Sequence, residues 1–383
     1  MLRDVFEDDH VAFRQMVGAF VGKEIRPHYR EWELAGRIPR DLFRRLGEVG
    51  ILGIAVPAQY GGAGEPGYKY SAVLTEETMR EGLGLGTVRV HMDIVLPYLL
   101  RYASEEQKQR WLPKVAAGDL VLAIAMTEPQ TGSDLAGITT RAEPREDGYL
   151  LNGSKTFISG AVNADLVIVV ARTSPPLPDN RRHGLSLLVV EKGMDGFRVG
   201  GELHKIGLRT QDTAELFFDD VHVPHDNLLG AEGEAFGYLG HNLPQERLSI
   251  AVGSQAAAQG AVAMAVDYVR DRRIFGRTLS EFQNTKFVLA ECLAEVEAGQ
   301  AVVDRALNTH ERGQLSPVDA AKVKLFASEL QGRVTDKCLQ LFGGYGYILD
   351  YPIARMYADA RVTRIYGGTS EVMKTIISKA AGL

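Results

Sequence analysis

The sequence predicts an α+β, multidomain chain in three consecutive parts: helices, then antiparallel strands, then helices again. Three observations carry this reading. Apolar residues recur at helical spacing up to residue 119 and again after about residue 231. Between these regions the apolar runs are short and bounded by turn residues. No helical stretch separates them, so they read as antiparallel strands and not as a βαβ series. The length of 383 residues, 45% apolar and 24% charged, suits two or three domains with real cores. The expected boundaries are 1–119, 120–230 and 231–383.

In the first part, the acidic opening MLRDVFEDDHVAFRQMV is helical in pattern. Phe13, Val17, Phe20 and Val21 recur on one face. Arg40–Ile51 and Ser71–Glu81 also suit helices, with glycines such as Gly61, Gly62, Gly82 and Gly84 between them. Ser104 opens S-E-E-Q, a capping box for a helix running towards Leu112. In the second part, strands are expected at Tyr149–Leu151, Leu166–Val170, Leu185–Val190 and Leu216–Phe218. Turns are expected at Asp147-Gly148, Asn152-Gly153, Asp179-Asn180 and Asp195-Gly196. Ser174–His183 reads as an exposed loop. In the third part, Pro244 opens a helix whose stretch from Leu248 to Val266 is apolar or small on nearly every face, which implies burial. Ser316-Pro317-Val318-Asp319 starts another, which Gly343-Gly344 ends.

Composition narrows the function. Lys and Arg total 43 against 49 Asp and Glu, a net charge of −6, so nucleic acid is not an expected partner. Cys292 and Cys338 make neither a disulfide framework nor a metal spacing, and no metal site is expected. The N-terminus lacks a signal-peptide core, and no run of about 18 apolar residues is present, so a cytoplasmic protein with no membrane span is expected. Walker, dinucleotide-binding and Gly-x-Ser-x-Gly patterns are absent from the sequence.

Five segments could carry chemistry. Ala125–Asp134, AMTEPQTGSD, holds short hydrogen-bonding groups and Gly132; it suits the edge of a flat polar ring, or an ordinary turn. In Asn152–Ser159, Phe157 could stack on an aromatic ligand, or simply join the core. QLFGGYG, from Gln340, suits a phosphate or a plain helix cap. RVTRIYGGTSE, from Arg361, is a loop or a helix start capped by Thr369 or Ser370. In NLPQER, Glu246 and Arg247 fall in the first turn of the helix opened by Pro244. A carboxylate there caps the helix dipole, or faces an apolar cavity that would raise its pKa towards that of a general base.

Together, in this order, these segments resemble the acyl-CoA dehydrogenase family of flavoenzymes, and the resemblance covers essentially the whole chain. AMTEPQTGSD resembles the family's first signature and QLFGGYGYILDYPIARMYADAR its second. YGGTSE resembles its C-terminal flavin loop. The resemblance implies an N-terminal helical domain, a central antiparallel β-barrel and a C-terminal four-helix bundle, with FAD between barrel and bundle. It also implies a homotetramer built as a dimer of dimers. By motif, Thr127, Gly132, Ser133, Phe157, Ile158 and Ser159 should surround the flavin ring. Arg272, Phe275, Gln283, Gln340, Gly343 and Gly344 should meet the adenine-diphosphate half of a neighbouring subunit's FAD. Thr369 and Glu371 should close on the cofactor, and Ser133, Arg247, Gly367 and Gly368 should meet the substrate.

One position departs from much of the family. Medium- and short-chain members carry their catalytic Glu where this chain has Gly367. Long-chain and isovaleryl-type members, which this sequence resembles most, place it in a motif like Leu243-Pro244-Gln245-Glu246-Arg247. The resemblance therefore assigns the base to Glu246. The implied reaction is α,β-dehydrogenation of a saturated acyl-CoA to the trans-2-enoyl-CoA, with flavin N5 as hydride acceptor and an electron-transfer flavoprotein as partner. The same residues suit this chemistry on an acyl-carrier-protein thioester, or a flavin-dependent oxidase on the same fold.

Overall fold

The computed structural model describes residues 3–383. Met1 and Leu2, at the head of the opening segment read as helical, lie outside the described residues. Among the described residues seven α-helices precede the sheet: α1 (Asp8–Phe20), α2 (Tyr29–Ala35), α3 (Asp41–Glu48), α4 (Tyr68–Arg80), α5 (Gly86–Arg89), α6 (Leu96–Tyr102) and α7 (Glu105–Ala116). The S-E-E-Q start holds: Ser104 Oγ accepts from the Gln107 N–H, and the Gln107 side chain accepts from the Ser104 N–H. A π-helical turn, Val90–Val95, joins α5 to α6. Such turns are rare and cluster at functional sites; this one forms part of the cavity described below.

The middle of the chain is an eight-stranded sheet: β1 (Leu122–Ala125), β2 (Arg141–Arg145), β3 (Gly148–Ser159), β4 (Leu166–Arg172), β5 (Leu185–Glu191), β6 (Phe197–Glu202), β7 (Thr213–Pro224) and β8 (Leu228–Leu229). The order is β6-β7-β3-β2-β4-β5-β8, with β1 on β4. This corrects two expectations. The sheet is not closed into a barrel, because its path ends at two separate edge strands, β6 and β8. Nor is it wholly antiparallel. β1 runs parallel to β4, since the β2–β3 hairpin carries the chain around before β4 begins. Strands β4 and β5 are buried along nearly their whole length. Leu166, Ile168 and Val170 pack with Trp111 and Tyr98 of the N-terminal helices, while Val167 and Val169 pack inside the sheet's own core. This double burial explains why both strands read as unbroken apolar runs.

Asn152-Gly153 is not the expected turn. β3 runs straight through it, with a register shift against β7 between Leu151 and Gly153. The Asn152 amide spans the bulge: its Nδ2 donates to Asp220 Oδ1 at 2.8 Å, and its Oδ1 accepts from the Asp220 N–H at 2.9 Å. A turn-prone dipeptide serves here to bend a strand.

After the sheet comes α8 (Ala235–Asp271), followed by a two-residue hairpin of β9 (Arg273–Ile274) and β10 (Arg277–Thr278). Then come α9 (Gln283–Glu311), α10 (Pro317–Phe342), α11 (Pro352–Ala360) and α12 (Ser370–Ala380). Three long helices, α8, α9 and α10, lie together, and the shorter α11 and α12 pack on α10. Ser316 caps α10 as expected, accepting from the Asp319 N–H at 3.0 Å. Gly343, at φ +57°, ends it.

The helix expected to open at Pro244 in fact begins at Ala235 and carries Pro244 in its interior. Glu246 and Arg247 are therefore not first-turn residues, and helix-dipole capping no longer accounts for the carboxylate. Helix α8 is the one described helix long and apolar enough to cross a membrane. Of its apolar window, 78% is buried inside the protein, so it reads as the core helix of the bundle. Helix α4 crosses it in backbone contact at Gly260, where a Cβ would stand 1.9 Å from the Arg80 carbonyl oxygen.

Candidate active site

A cavity of about 170 Å³ lies where the three parts of the chain meet. The N-terminal helices contribute Arg89, Val90 and Ile94. The sheet contributes Met126, Thr127, Phe157, Ile158 and Ser159. The C-terminal part contributes Glu246, Ser249, Ile250 and Gly367. A larger polar groove of about 550 Å³ lies beside α9, but its Arg3 is already taken by Glu76 and Asp304, each at 2.7 Å. Chemistry is better served by the smaller, mostly apolar cavity.

Glu246 stands on this cavity with only 5% of its surface exposed. Burial pushes its carboxyl up to about 7, against the opposing pull of a hydrogen bond from Tyr98 and the charge of Arg247. The Tyr98 hydroxyl, on α6, donates to Glu246 Oε1 at 3.1 Å. The carboxyl is thus poised between its acid and base forms near neutral pH, as a general base requires.

The sheet supplies the facing wall. Phe157 lies at φ +58° inside β3, where the register against β7 shifts again between Lys155 and Ile158. A left-handed aromatic residue within a strand is unusual. Its effect is to turn the ring out of the sheet, leaving it 67% exposed. Ser159 Oγ, next but one, accepts from Gln211 Nε2 at 2.7 Å. The loop bearing Thr127 is tied to the same strand by the Thr156 N–H, which donates to the Thr127 carbonyl at 2.9 Å. Lys155 and Glu128 pin it from below. Lys155 Nζ lies 3.0 Å from both Glu128 Oε1 and the Met126 carbonyl, and both side chains are buried.

The C-terminal loop closes a third side. Gly367 is at φ +63° and its Cβ position is only 2.3 Å from Ile250 Cδ1. Gly368 does not line the cavity. Its carbonyl accepts from the buried Lys324 Nζ at 2.8 Å, which anchors the loop to α10. Burial pushes that ammonium down to about 8, with Arg247 nearby adding to the effect. Thr369 caps α12 by accepting from the Val372 N–H. Glu371 is exposed on that helix's first turn.

Several expected residues fall elsewhere. Gly132 and Ser133 sit on an exposed loop and do not line the cavity. Arg247 is buried beside Glu246 but off the lining, and its Nε has no partner. Arg272, Gln340, Gly343 and Gly344 line a separate open groove of about 530 Å³. Phe275, at φ +49° and 92% exposed, and Gln283 lie outside that lining. Reading the sequence alone missed Tyr98, Arg89, Ser249 and Gln211. Arg89 donates to Ser249 Oγ at 2.9 Å, and Asp93 lies 4.0 Å away. The signal for Tyr98 and Arg89 was the stretch from Leu83 to Leu100, whose facing the helical pattern does not fix.

The residues present fit a flavin dinucleotide. The out-turned Phe157 ring, flanked by Thr127 and Ser159, makes a stacking and hydrogen-bonding wall beside Glu246. The second groove offers the Arg272 cation and paired glycines, with open space where each Cβ would stand, as a phosphate-bearing tail requires.

Comparison with known proteins agrees with this arrangement. Three family models match in chain order: "Acyl-CoA dehydrogenase, N-terminal domain" over residues 7–119, "Acyl-CoA dehydrogenase, middle domain" over 123–221, and "Acyl-CoA dehydrogenase, C-terminal domain" over 233–382. The mitochondrial long-chain specific acyl-CoA dehydrogenase of Sus scrofa is 44% identical over 99% of this chain and 87% of its own length. The crystal structure of an acyl-CoA dehydrogenase from Geobacillus kaustophilus superposes with a TM-score of 0.97. It is 44% identical, and the match covers 100% of both chains. A glutaryl-CoA dehydrogenase from Mycobacterium smegmatis, solved in complex with FADH2, superposes with a TM-score of 0.89. It is 28% identical, over 98% of this chain and 95% of that one.

Proposed function

Because this chain belongs to the acyl-CoA dehydrogenase family, and is an oxidoreductase of that kind, we propose how its own residues carry out the reaction. The reading is FAD-dependent α,β-dehydrogenation of a saturated acyl-CoA to the trans-2-enoyl-CoA, with Glu246 as the base. The observation that supports it best is a buried carboxyl, pushed up to about 7, that lines one cavity together with the out-turned Phe157.

In this reading the acyl chain lies in the cavity between the Val90–Val95 turn and the sheet, and Glu246 takes the α-proton. The thioester oxygen gains negative charge as that proton leaves. The Gly367 N–H is the donor that meets it, on a loop that Lys324 holds still. The apolar walls exclude water and strengthen both interactions. Thr127, Phe157, Ile158 and Ser159 would hold the flavin ring, and bound FAD would supply the acceptor at N5 for the β-hydride. Arg272, Gln340, Gly343 and Gly344 would serve the adenine-diphosphate half of the cofactor of a neighbouring copy in a homotetramer. The redox partner is an electron-transfer flavoprotein.

The test is Glu246→Gln, which keeps the shape but cannot accept a proton. Anaerobic bleaching of the flavin by saturated acyl-CoAs should slow by ~10²–10⁴-fold, with FAD still bound. Near-normal bleaching would place the base elsewhere.

A further inference from the structure

We infer that Tyr98 is a positioning residue for this site: its buried hydroxyl holds Oε1 of Glu246, so that Oε2 is the oxygen presented to the substrate. The inference rests on Glu246 being the base, and it adds a residue from a different part of the chain. Tyr98 lies on α6, 148 positions before Glu246, and is fully buried among Val95, Leu99 and Trp111. An ionised carboxylate only accepts hydrogen bonds. Among the described residues, the Tyr98 hydroxyl is the one side-chain donor to Glu246, and it reaches one oxygen only.

Two consequences follow from that single bond. The first is orientation. With Oε1 tied, rotation about the last torsion of Glu246 is restricted, and Oε2 is left for the α-proton. The second is acidity. A hydrogen bond to the charged form favours that form, so Tyr98 offsets part of the upward push that burial gives the carboxyl. The Tyr98 phenol itself is held well above its ordinary value by burial and by the Glu246 charge, so it stays a donor across the working range.

The other charged and titratable groups around Glu246 are accounted for. Arg247, next on α8, acts on it by charge alone, and Lys324 on α10 stands beside Arg247. Arg89, on α5, is engaged by Ser249 and has Asp93 close by. Tyr366, from the C-terminal loop, is held up by burial. The sheet wall contributes no titratable side chain to the cavity.

The test uses FAD-loaded Tyr98→Phe, which deletes one oxygen and keeps the ring. A hydrogen bond to a charged group corresponds to roughly one to two pH units. The acid limb of the kcat/KM profile, expected near pH 7 in the parent, should move up by that amount. At pH 7 this is a roughly 5- to 50-fold loss, carried mainly by kcat and recovering at alkaline pH. Replacing Tyr98 by 3-fluorotyrosine strengthens the donor and should move the limb down instead. Two opposite shifts are not what a mere packing role would give. Infrared titration of the Glu246 carboxyl, assigned by its loss in Glu246→Gln, should shift in the same directions without any turnover. If Tyr98→Phe does not fold, the fluorotyrosine protein decides alone. An unmoved limb and an unmoved carboxyl band in folded protein overturn the inference. If the band shifts while Glu246→Gln still turns over normally, the Tyr98 contact stands and the base assignment falls.

Discussion

Gly367 shows how one missing side chain shapes the site. It shares the cavity with Glu246, so a carboxylate placed there would approach the same substrate from the C-terminal loop. Two obstacles stand in its way. The backbone sits at φ +63°, which costs a non-glycine residue ~1–3 kcal/mol. A Cβ there would also press on Ile250 Cδ1 at 2.3 Å. Glu246→Gln combined with Gly367→Glu should therefore regain only a small part of the lost rate. Adding Ile250→Ala, which clears the colliding methyl, should regain more. Single-turnover flavin reduction on folded, FAD-loaded variants measures this. If the triple variant is as inactive as Glu246→Gln alone, position 367 does not reach the reacting carbon. At this scale the sequence was informative where a local pattern carried the residue. Glu246 could be picked out as the candidate base because L-P-Q-E-R is contiguous and resembles the motif of long-chain members. Tyr98 could not, because a tyrosine in a helical stretch gives no sign of which carboxylate, far along the chain, its hydroxyl will meet. Gly132 and Ser133 lie on the exposed side of their loop, and a local motif does not say which face of a loop its residues take.

Among the elements, β3 and the loop after β1 must hold together for the Phe157 wall to exist, and a buried ion pair joins them. Burial pushes the Glu128 carboxyl up, but Lys155 and donors from Thr139 and Thr140 outweigh it and hold it down at about 2. A folded value below the ordinary 4.5 means stability that is present above pH 4.5 and is lost as the pH falls towards 2. Burial pushes the Lys155 ammonium down to about 8, which opposes part of this gain. Lys155→Met should cost ~3–5 kcal/mol near pH 7, because it strands a buried carboxylate. The gap between parent and variant should narrow at about pH 3, where the stranded group is protonated. Denaturant melts at the two pH values measure both, and an equal gap at both would show that the pair carries no such linkage. The elements themselves were legible where period and caps agreed: the Ser104 and Ser316 helix starts, and the apolar runs of β4 and β5. They were misread where a local signal served another purpose. Asn152-Gly153 bends a strand without ending it, because Asp220 across the ladder offers partners that a turn would not. Pro244 suits a helix's first turn by its local chemistry, yet the tertiary packing of α8 carries the helix past it.

For the whole molecule, the order of helices, sheet and helices was legible because the period of the apolar pattern changes twice along the chain. The edges of the sheet were not. Whether β6 and β8 meet is decided by strands far apart in sequence, and no local pattern records it. The same long-range assembly builds the cavity, which takes walls from all three parts, while Arg272 and Gly343 line a second groove apart from it. One chain therefore offers the proposed flavin-ring wall in one place and the proposed phosphate groove in another. If each FAD bridges the first of one copy and the second of its neighbour, cofactor binding, folding and assembly are linked. Removing FAD should lower the stability of the whole chain, not of one part. At cofactor one hundred times its Kd the gain is about 2.7 kcal/mol. The melting temperature of the stripped protein should then rise on adding FAD, and rise further with protein concentration, as native mass measured by light scattering increases. Arg272→Ala, in the distal groove, should weaken FAD retention and assembly together, although it does not line the Glu246 cavity. A parent protein that is monomeric when saturated with FAD, with a melting temperature independent of its own concentration, would show that both grooves serve cofactor within a single chain or not at all.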